Sequence, residues 1–515
     1  MSEEFSYDRI LYPCHPFSST HPDHLGMLAG LQGLEAAPAT KCRVLELGCG
    51  NGGNLIPMAL QLPGSEFVGI DLGARSIENG QAMIEQLGIR NLTLAHRNIM
   101  DISDDDGLFD YIIAHGVYSW VPQFVRDKVL SIYKNNLSPN GVAYVSYNAL
   151  PGGHLRTLAR SLMMFHVRGV TDPRQRTAQS RMLMQALADA SREDQIYGFI
   201  LRDQLGRIKD VPDEVFIHDD LDEGSTPFFL YQVVEAAGAN GLQYVSEADL
   251  VDSNEYRQSK QARDFLDQIP ESETVIREQY LDFITGRAFR KSLFCHLEAN
   301  LQRPVPPHVI RRHFISSALM PEDEKADPAA PGAVVFKAPG GESLKTDHPL
   351  GKAALIVLGR IWPQAIAFPE LLEQSLALVA ADNGIHTDRD KAIEALTQIL
   401  FQGFRSDLIQ LHRTPPRLTT TISDKPLANM LPRWQAQHNQ LMTNLMHSLV
   451  AVEDDIARTF IPLVDGTRTI DQLVDDLRAA LASRPADPAA PAAEITRETV
   501  ERNLRMMARL GLLQA

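Results

Sequence analysis

Residues 43–54 read RVLELGCGNGGN, an apolar strand that runs through Glu46 into a turn with glycines at 48, 50, 52 and 53. Glycine reaches positive φ and has no Cβ, so such a turn can bend sharply and let backbone lie against a ligand that a larger residue would hold off. Gly48, Gly50 and Gly53 also satisfy the dinucleotide pattern G-x-G-x-x-G, and the glycines alone therefore leave two cofactor classes open. Glu46 favours one of them. A carboxylate two residues before the first glycine would repel a pyrophosphate, whereas it suits the cationic amino acid end of S-adenosylmethionine.

The downstream segments follow in register. A helical stretch over 55–62 leads into EFVGIDL, whose Asp71 stands about twenty positions beyond the glycines, where a carboxylate accepts the ribose hydroxyls. NLTLAHRNIMDI then places Asn98, Ile99 and Asp101 after a third strand, and FDYIIAHG ends a fourth at His115. The candidate cofactor-binding set is Glu46, Gly48, Cys49, Gly50, Asn51, Gly52, Asn54, Asp71, Leu72, Asn98, Ile99, Asp101 and His115. Asn98 and Asp101 read as contacts to the adenine edge, although Asp101 lies in the acidic loop DISDDDG, where solvation is the alternative. Strands near 42–47, 66–71, 92–96, 109–114 and 141–147, alternating with helices, give an α/β class: a Rossmann-like class I methyltransferase domain with its ligand at the carboxyl ends of parallel strands.

Longer motifs carry a resemblance. PFSSTHPDHL (16–25), VLELGCGNGGN, FDYIIAHGVYSWVP, AYVSYNALPGGHLR (143–156) and the segment from Phe216 to Leu250 resemble the bacterial methyltransferases that carry a methyltransferase regulatory domain. That family includes the rickettsial protein lysine methyltransferases of outer-membrane proteins. The resemblance covers the first three hundred or so residues well and the rest more loosely. It implies S-adenosyl-L-methionine as cofactor, lysine side chains of a protein as acceptor, and a C-terminal region serving protein interaction or assembly, with a homodimer left open.

Composition sets outer bounds. A chain of 515 residues exceeds one hydrophobic core and suggests two to four domains. Its net charge of −16 disfavours nucleic acid as partner and suits basic protein segments. Cys14, Cys42, Cys49 and Cys295 show no metal or disulfide spacing, which fits a reducing cytoplasm. The start MSEEFSYDR lacks the apolar core of a signal peptide, and no apolar run is long enough for membrane insertion.

The chain divides, on this reading, into a methyltransferase domain over 1–154, a helical regulatory domain over 155–320, a linker over 321–349 and a C-terminal helical, winged-helix-like domain over 350–515. Thr20 is expected to cap a leading helix with Pro22 and Asp23 in its first turn, and Tyr12, His15 and Phe17 are lid candidates. Amphipathic stretches near 155–168, 175–190, 226–240, 258–268 and 273–286 predict helices. HDDLDEG reads as a solvated turn rather than a metal site through His218, Asp219, Asp220 and Asp222. A narrower idea is that Asp219, Asp220, Asp222 and Glu223 attract a lysine-bearing substrate. Residues 321–349, rich in proline, glycine and charge, read as linker. Helices are expected near 350–362, 368–380, 388–402 and 432–449. A capping box then joins Thr469 to Gln472, a proline and alanine stretch spans 484–493, and a last helix ends at Gly511. Arg502, Arg505 and Arg509 share a helical face, but Glu498 and Glu501 precede two of them by four, so a salt-bridged surface is preferred to a DNA contact.

The acceptor side is read from the segments after the fourth and fifth strands. His115, Tyr118 and Trp120 in HGVYSWVP, with Tyr147 and Asn148 in SYNALPG, are the candidate catalytic residues, forming aromatic and carbonyl walls for a lysine. His115 is the one candidate for proton transfer, with a hydrogen-bonded structural histidine as its alternative, and Tyr118 and Trp120 read either as channel wall or as domain interface. The [DN]-P-P-[YF] motif of nucleobase amine methylation is absent, with AHGVYSW in its place. The leading expectation is a protein lysine methyltransferase. A small-molecule methyltransferase, or a cofactor-binding regulatory protein with little activity, stand as alternatives.

Overall fold

A computed structural model describes residues 10–222, 224–251, 253–383, 388–415, 417–438, 441–483 and 495–515. Strands β1 (Arg43–Leu47), β2 (Glu66–Asp71), β3 (Leu92–His96), β4 (Phe109–Ala114) and β5 (Leu137–Asn148) form where apolar runs meet turn residues. They are mutually parallel, which requires both faces of the sheet to be covered. Val44 and Tyr111 accordingly enter a core shared with helix Pro22–Leu31 and the helices of the C-terminal half. Leu45, Leu47 and Ile112 enter a second core under helices Gln123–Asn136 and Leu230–Ala239.

The sheet has seven strands. Its order is β3-β2-β1-β4-β5-β7-β6, where β6 (Leu242–Glu247) and β7 (Phe289–His296) come from the segment expected to be helical. Both added strands are antiparallel, β7 against β5 and β6 against β7. They escaped sequence reading because charged residues interrupt their apolar pattern, and those charges are paired internally. Arg290 is wholly buried; its guanidinium donates to both oxygens of Asp282 at 2.8 Å, and its Nη1 lies 2.7 Å from Glu247 Oε1. Burial alone would raise the Glu247 pKa, but Arg290 and Arg287 outweigh it and hold the carboxyl below its ordinary value.

The helices after Gly152 enclose a small core of their own around Met163, Met184, Leu201 and Phe216, and two of them, Ile196–Ile208 and Asp213–Asp220, were not foreseen. The second overturns the solvated turn. His218 and Asp220 are buried, Asp220 Oδ1 accepts from Arg156 at 3.0 Å and Arg207 at 2.6 Å, and His218 Nε2 meets the Ile10 carbonyl at 2.7 Å. Asp222 closes its own turn by accepting from Gly224 N–H, and Glu223 lies outside the described residues. This arrangement takes Asp220 out of the acidic patch as a lysine attractor, since its charge is already matched by two arginines, while Asp219 lies 3.8 Å from Arg156.

Three further expectations are corrected. The cap of helix Pro22–Leu31 is His21, whose Nδ1 accepts from Asp23 N–H, because Thr20 is used in a preceding 3-10 turn and donates to Phe17 O at 2.8 Å. The stretch 321–349 contains strand Val334–Lys337, which pairs with Ser343–Thr346 on one side and Met320–Pro321 on the other in an antiparallel sheet that buries Phe336. The long helix near 432–449 is instead a short helix, Met430–Gln435, followed by a hairpin of Leu441–Thr443 and Leu449–Ala451. Asn444 stabilises that hairpin loop by accepting from the backbone N–H of Met446 and Ser448.

The C-terminal unit packs helices Ile470–Ala482 and Arg497–Arg509 around Leu473, Leu477 and Leu504. Its Thr469–Gln472 capping box forms, and Glu501 pairs with Arg497 at 3.0 Å and Arg505 at 3.8 Å. The stretch 484–493 lies outside the described residues. No helix among the described residues is long and apolar enough to cross a membrane, and none of their His, Cys, Asp or Glu groupings could hold a metal ion.

Candidate cofactor site and its relatives

The chain order reverses direction between β1 and β4, so the carboxyl ends of these strands frame a crevice. The glycine turn fills its mouth. Gly48, Gly50 and Gly52 have φ of 76°, 54° and 78°. A Cβ at Gly48 would come within 2.6 Å of Val117, and one at Gly53 within 2.6 Å of the Cys14 carbonyl. A Cβ at Gly50 would collide with the Cys14 sulfur. The turn therefore needs glycine for its own conformation and for close approach by the N-terminal segment, which lies across it.

That segment is anchored at several points. Asn51 N–H reaches Cys14 Sγ at 3.4 Å, Phe17 N–H donates to Asn54 Oδ1 at 2.9 Å, and the Phe17 ring stacks on His115 with centroids 3.8 Å apart. Tyr12 turns away towards the helical unit, where its ring packs edge-on against His218 and its hydroxyl meets Asp219 at 3.5 Å. His15 is half-buried, and burial lowers its pKa. Of the three lid candidates, Phe17 is the one stacked on a predicted site residue. Cys14, which sequence reading passed over, makes the closest approach to the glycines.

Two carboxylates dominate the electrostatics. Glu46, 3% exposed, pairs in the sheet with Gly69 and Ile113. Its Oε1 accepts from Asn54 Nδ2 at 2.8 Å, while Oε2 is buried with no hydrogen-bond partner. Burial, with a smaller contribution from the Asp71 charge, pushes its pKa up to about 8. Asp71 receives Gly50 N–H at 2.8 Å on one oxygen and Gly73 N–H at 2.7 Å on the other, and so ties the end of β2 to the glycine turn. An orphaned carboxyl oxygen that a cation would ionise, beside a turn that excludes Cβ atoms, fits a cation-bearing nucleotide-like ligand.

The remaining candidates fall into two groups. Leu72 is 42% exposed and Ile99 half-buried, so both offer apolar surface. Asn98 caps the short turn Ile99–Asp101 by accepting from Met100 N–H at 2.9 Å, and Asp101 is exposed at the end of that turn. His115 is held by Tyr144, whose hydroxyl lies 2.8 Å from its Nδ1 and also bonds Ser19. Burial, then the nearby Lys291 charge, lowers the His115 pKa to about 3, so the ring is neutral at physiological pH.

Behind His115 a second cluster joins the other predicted catalytic residues. Ser119 Oγ accepts from Asn148 N–H at 2.8 Å and so links the HGVYSWVP and SYNALPG segments. Tyr118 packs edge-on against Phe228, 5.5 Å away, and lies 6.3 Å from the Tyr147 ring. Tyr147 is buried with its hydroxyl 3.1 Å from Ser292, Asn148 Nδ2 donates to Ser225 at 2.9 Å, and Trp120 is half-buried. These residues brace the ends of β4 and β5 against β7. A cavity of about 640 Å³ whose lining does not include the glycine turn is bordered by His21, Lys291, His412 and His447.

Comparison with known proteins agrees with this geometry. Residues 39–198 match the family described as "Methyltransferase domain", 212–296 the "Predicted methyltransferase regulatory domain", and 424–508 the "PKMT, C-terminal winged helix domain". An uncharacterized protein of Rickettsia prowazekii (strain Madrid E) is 32% identical over 455 residues, spanning 87% of this chain and 81% of that protein. The chain belongs to the bacterial methyltransferases that carry a methyltransferase regulatory domain. Among solved structures, PKMT2 from Rickettsia typhi in complex with AdoHcy aligns with a TM-score of 0.87 at 27% identity, covering 98% of this chain and 99% of that one. A second structure of PKMT2 from Rickettsia typhi aligns at 0.86. This methyltransferase is thus dependent on S-adenosylmethionine, with a Rossmann-like cofactor domain, a regulatory domain and a C-terminal winged helix.

Proposed function

We propose that the protein transfers methyl groups from S-adenosylmethionine to lysine side chains of a protein substrate. The observation that carries this reading is the end-to-end likeness to PKMT2, which includes the regulatory and winged-helix domains as well as the cofactor domain. A small-molecule acceptor would give no reason for so much appended structure to be shared at full length.

The cofactor supplies a methyl group on a sulfonium, whose positive charge is lost as the bond forms. Around it, Glu46 would receive the ammonium with the oxygen that lacks a partner. Asp71 would accept the ribose hydroxyls, Leu72 and Ile99 would offer apolar surface to the adenine, and Asn98 and Asp101 would offer polar groups to its edge. Gly48 to Gly52 with Cys49, Asn51 and Asn54 form the backing. His115 stays neutral and so adds no like charge beside a cofactor cation or an incoming lysine. His115, Tyr118, Trp120, Tyr147 and Asn148 serve as walls and positioning groups. An apolar, aromatic surrounding favours the neutral amine that lysine needs for attack, and alignment supplies about 7 to 11 kcal/mol of the barrier reduction.

Incubation with labelled cofactor and cell lysate, followed by gel separation and mass spectrometry, tests the acceptor. Label on protein lysines is expected. Label confined to small molecules, or cofactor binding without transfer, overturns the assignment. Asp71→Ala, which removes an acceptor and unties the turn from β2, is expected to weaken S-adenosylhomocysteine binding about thirtyfold, or about 2 kcal/mol. Equal affinity of variant and wild type by calorimetry would remove Asp71 from the ribose.

A further inference from the structure

Asn54 is fully committed. Its Nδ2 donates to Glu46 Oε1 at 2.8 Å and to Thr20 Oγ1 at 3.0 Å, while its Oδ1 accepts from Phe17 N–H at 2.9 Å. The Phe17 donor fixes the amide orientation, because a flipped amide would set two donors face to face. Oδ1, with Thr20 Oγ1 3.2 Å away, also meets a residue 393 positions away, His447, whose Nε2 lies 2.9 Å off. Since Oδ1 only accepts, His447 Nε2 carries the proton.

His447 comes from the hairpin loop of the winged-helix domain, residues 424–508. It is 2% exposed and has a φ of 55°, a left-handed conformation that a residue with a Cβ adopts only at a cost. The loop that holds it there is tied to the end of the last helix by Leu445 N–H to Gly511 O at 2.8 Å and by Asn444 Nδ2 to Leu510 O at 3.0 Å. A strained residue, delivered by a distant domain to the side chain that, among the described residues, bonds the Glu46 carboxyl, is costly as packing alone.

We infer that the C-terminal winged-helix domain completes the cofactor site through His447, a positioning residue that orients Asn54 and, through it, Glu46. Docking of that domain thereby sets the affinity for the cofactor. The chain runs from the hairpin loop to His447, Asn54 and Glu46, and it acts on binding whatever the methyl acceptor is.

The test measures S-adenosylhomocysteine binding to full-length protein by calorimetry, with ligand-free melting measured alongside. His447→Ala and His447→Leu, which lack the donor, are each expected to raise Kd about tenfold, the equivalent of one neutral hydrogen bond. His447→Gln keeps a donor on a flexible amide and is expected to return Kd to within about threefold of wild type. In a Glu46→Gln background the His447→Leu penalty should largely vanish, since the coupling passes through that carboxylate. Wild-type affinity in both donor-less variants, or a His447→Gln variant as weak as His447→Leu, overturns the proposal. So does a His447→Leu penalty undiminished beside Glu46→Gln. If His447→Ala fails to fold, His447→Leu and His447→Gln still decide it.

Discussion

Glu46→Gln is expected to raise the Kd for S-adenosylhomocysteine about a hundredfold at pH 8, and to remove most of its dependence on pH below that. The glutamine keeps the volume and an acceptor for Asn54, so the loss reports the charge. A buried carboxylate facing an ammonium is worth about 1.5 to 3 kcal/mol as a charge-assisted bond, and a hundredfold corresponds to about 2.7 kcal/mol. In the free protein Glu46 has its pKa pushed up to about 8, by burial first and then by Asp71. Below that pH the free carboxyl is mostly protonated, whereas binding of a cation selects its ionised form. Affinity should therefore rise by up to about tenfold per unit from pH 6 towards 8 and then level off. The direct readout is the binding enthalpy at pH 7 in two buffers of different ionisation enthalpy. Wild type should release about one proton and Glu46→Gln none. Proton release that persists in the variant would move the titration, and with it the cofactor's ammonium, to another group.

How much of this was legible in the sequence depended on whether neighbours in space were neighbours in the chain. The glycine turn, Glu46 and Asp71 were readable because strand, turn and acid follow one another within thirty residues and each has a local chemical reason. β1 to β5 were readable because strands buried on both faces are apolar throughout. β6 and β7 were not, since Arg290 and Glu247 look like surface residues until Asp282 and Arg287 are brought to them by a helix and a turn. The stretch QLMTNLMHSLV places apolar residues at spacings compatible with a helix, and nothing local announces the left-handed turn at His447. HDDLDEG looked solvated because its arginine partners, Arg156 and Arg207, sit on other helices. The candidates after β4 and β5 could be named from the sequence, but the surface they build could not. Tyr147 and Asn148 have their polar groups engaged by Ser292 and Ser225, which the sequence places far downstream.

The buried arginine that made the sheet hard to read also makes it easy to break. Arg290→Met keeps much of the side-chain volume but leaves Glu247 and Asp282, 3% and 0% exposed, without their principal counter-charge. Removing one partner from a buried ion pair costs about 3 to 5 kcal/mol, well above the value of a surface pair, because the orphaned charges cannot reach water. The loss should lower the temperature of the first calorimetric unfolding transition and shrink at acid pH. With Arg290 gone, burial raises the folded pKa of both carboxyls above their unfolded values. Protonated carboxyls then suit the interior, so the variant is least impaired near pH 5 and increasingly impaired as pH rises through the folded pKa values. The functional consequence follows the register: Tyr147 lies opposite Arg290 and Asn148 opposite Phe289, so loosening β7 frees the end of β5 that braces the acceptor side. Methyl transfer should therefore fall further than cofactor affinity in Arg290→Met, whereas Glu46→Gln loses affinity first. Equal stability of Arg290→Met and wild type at pH 8 would mean that Arg287 alone neutralises the cluster and that β7 is held by its backbone ladder.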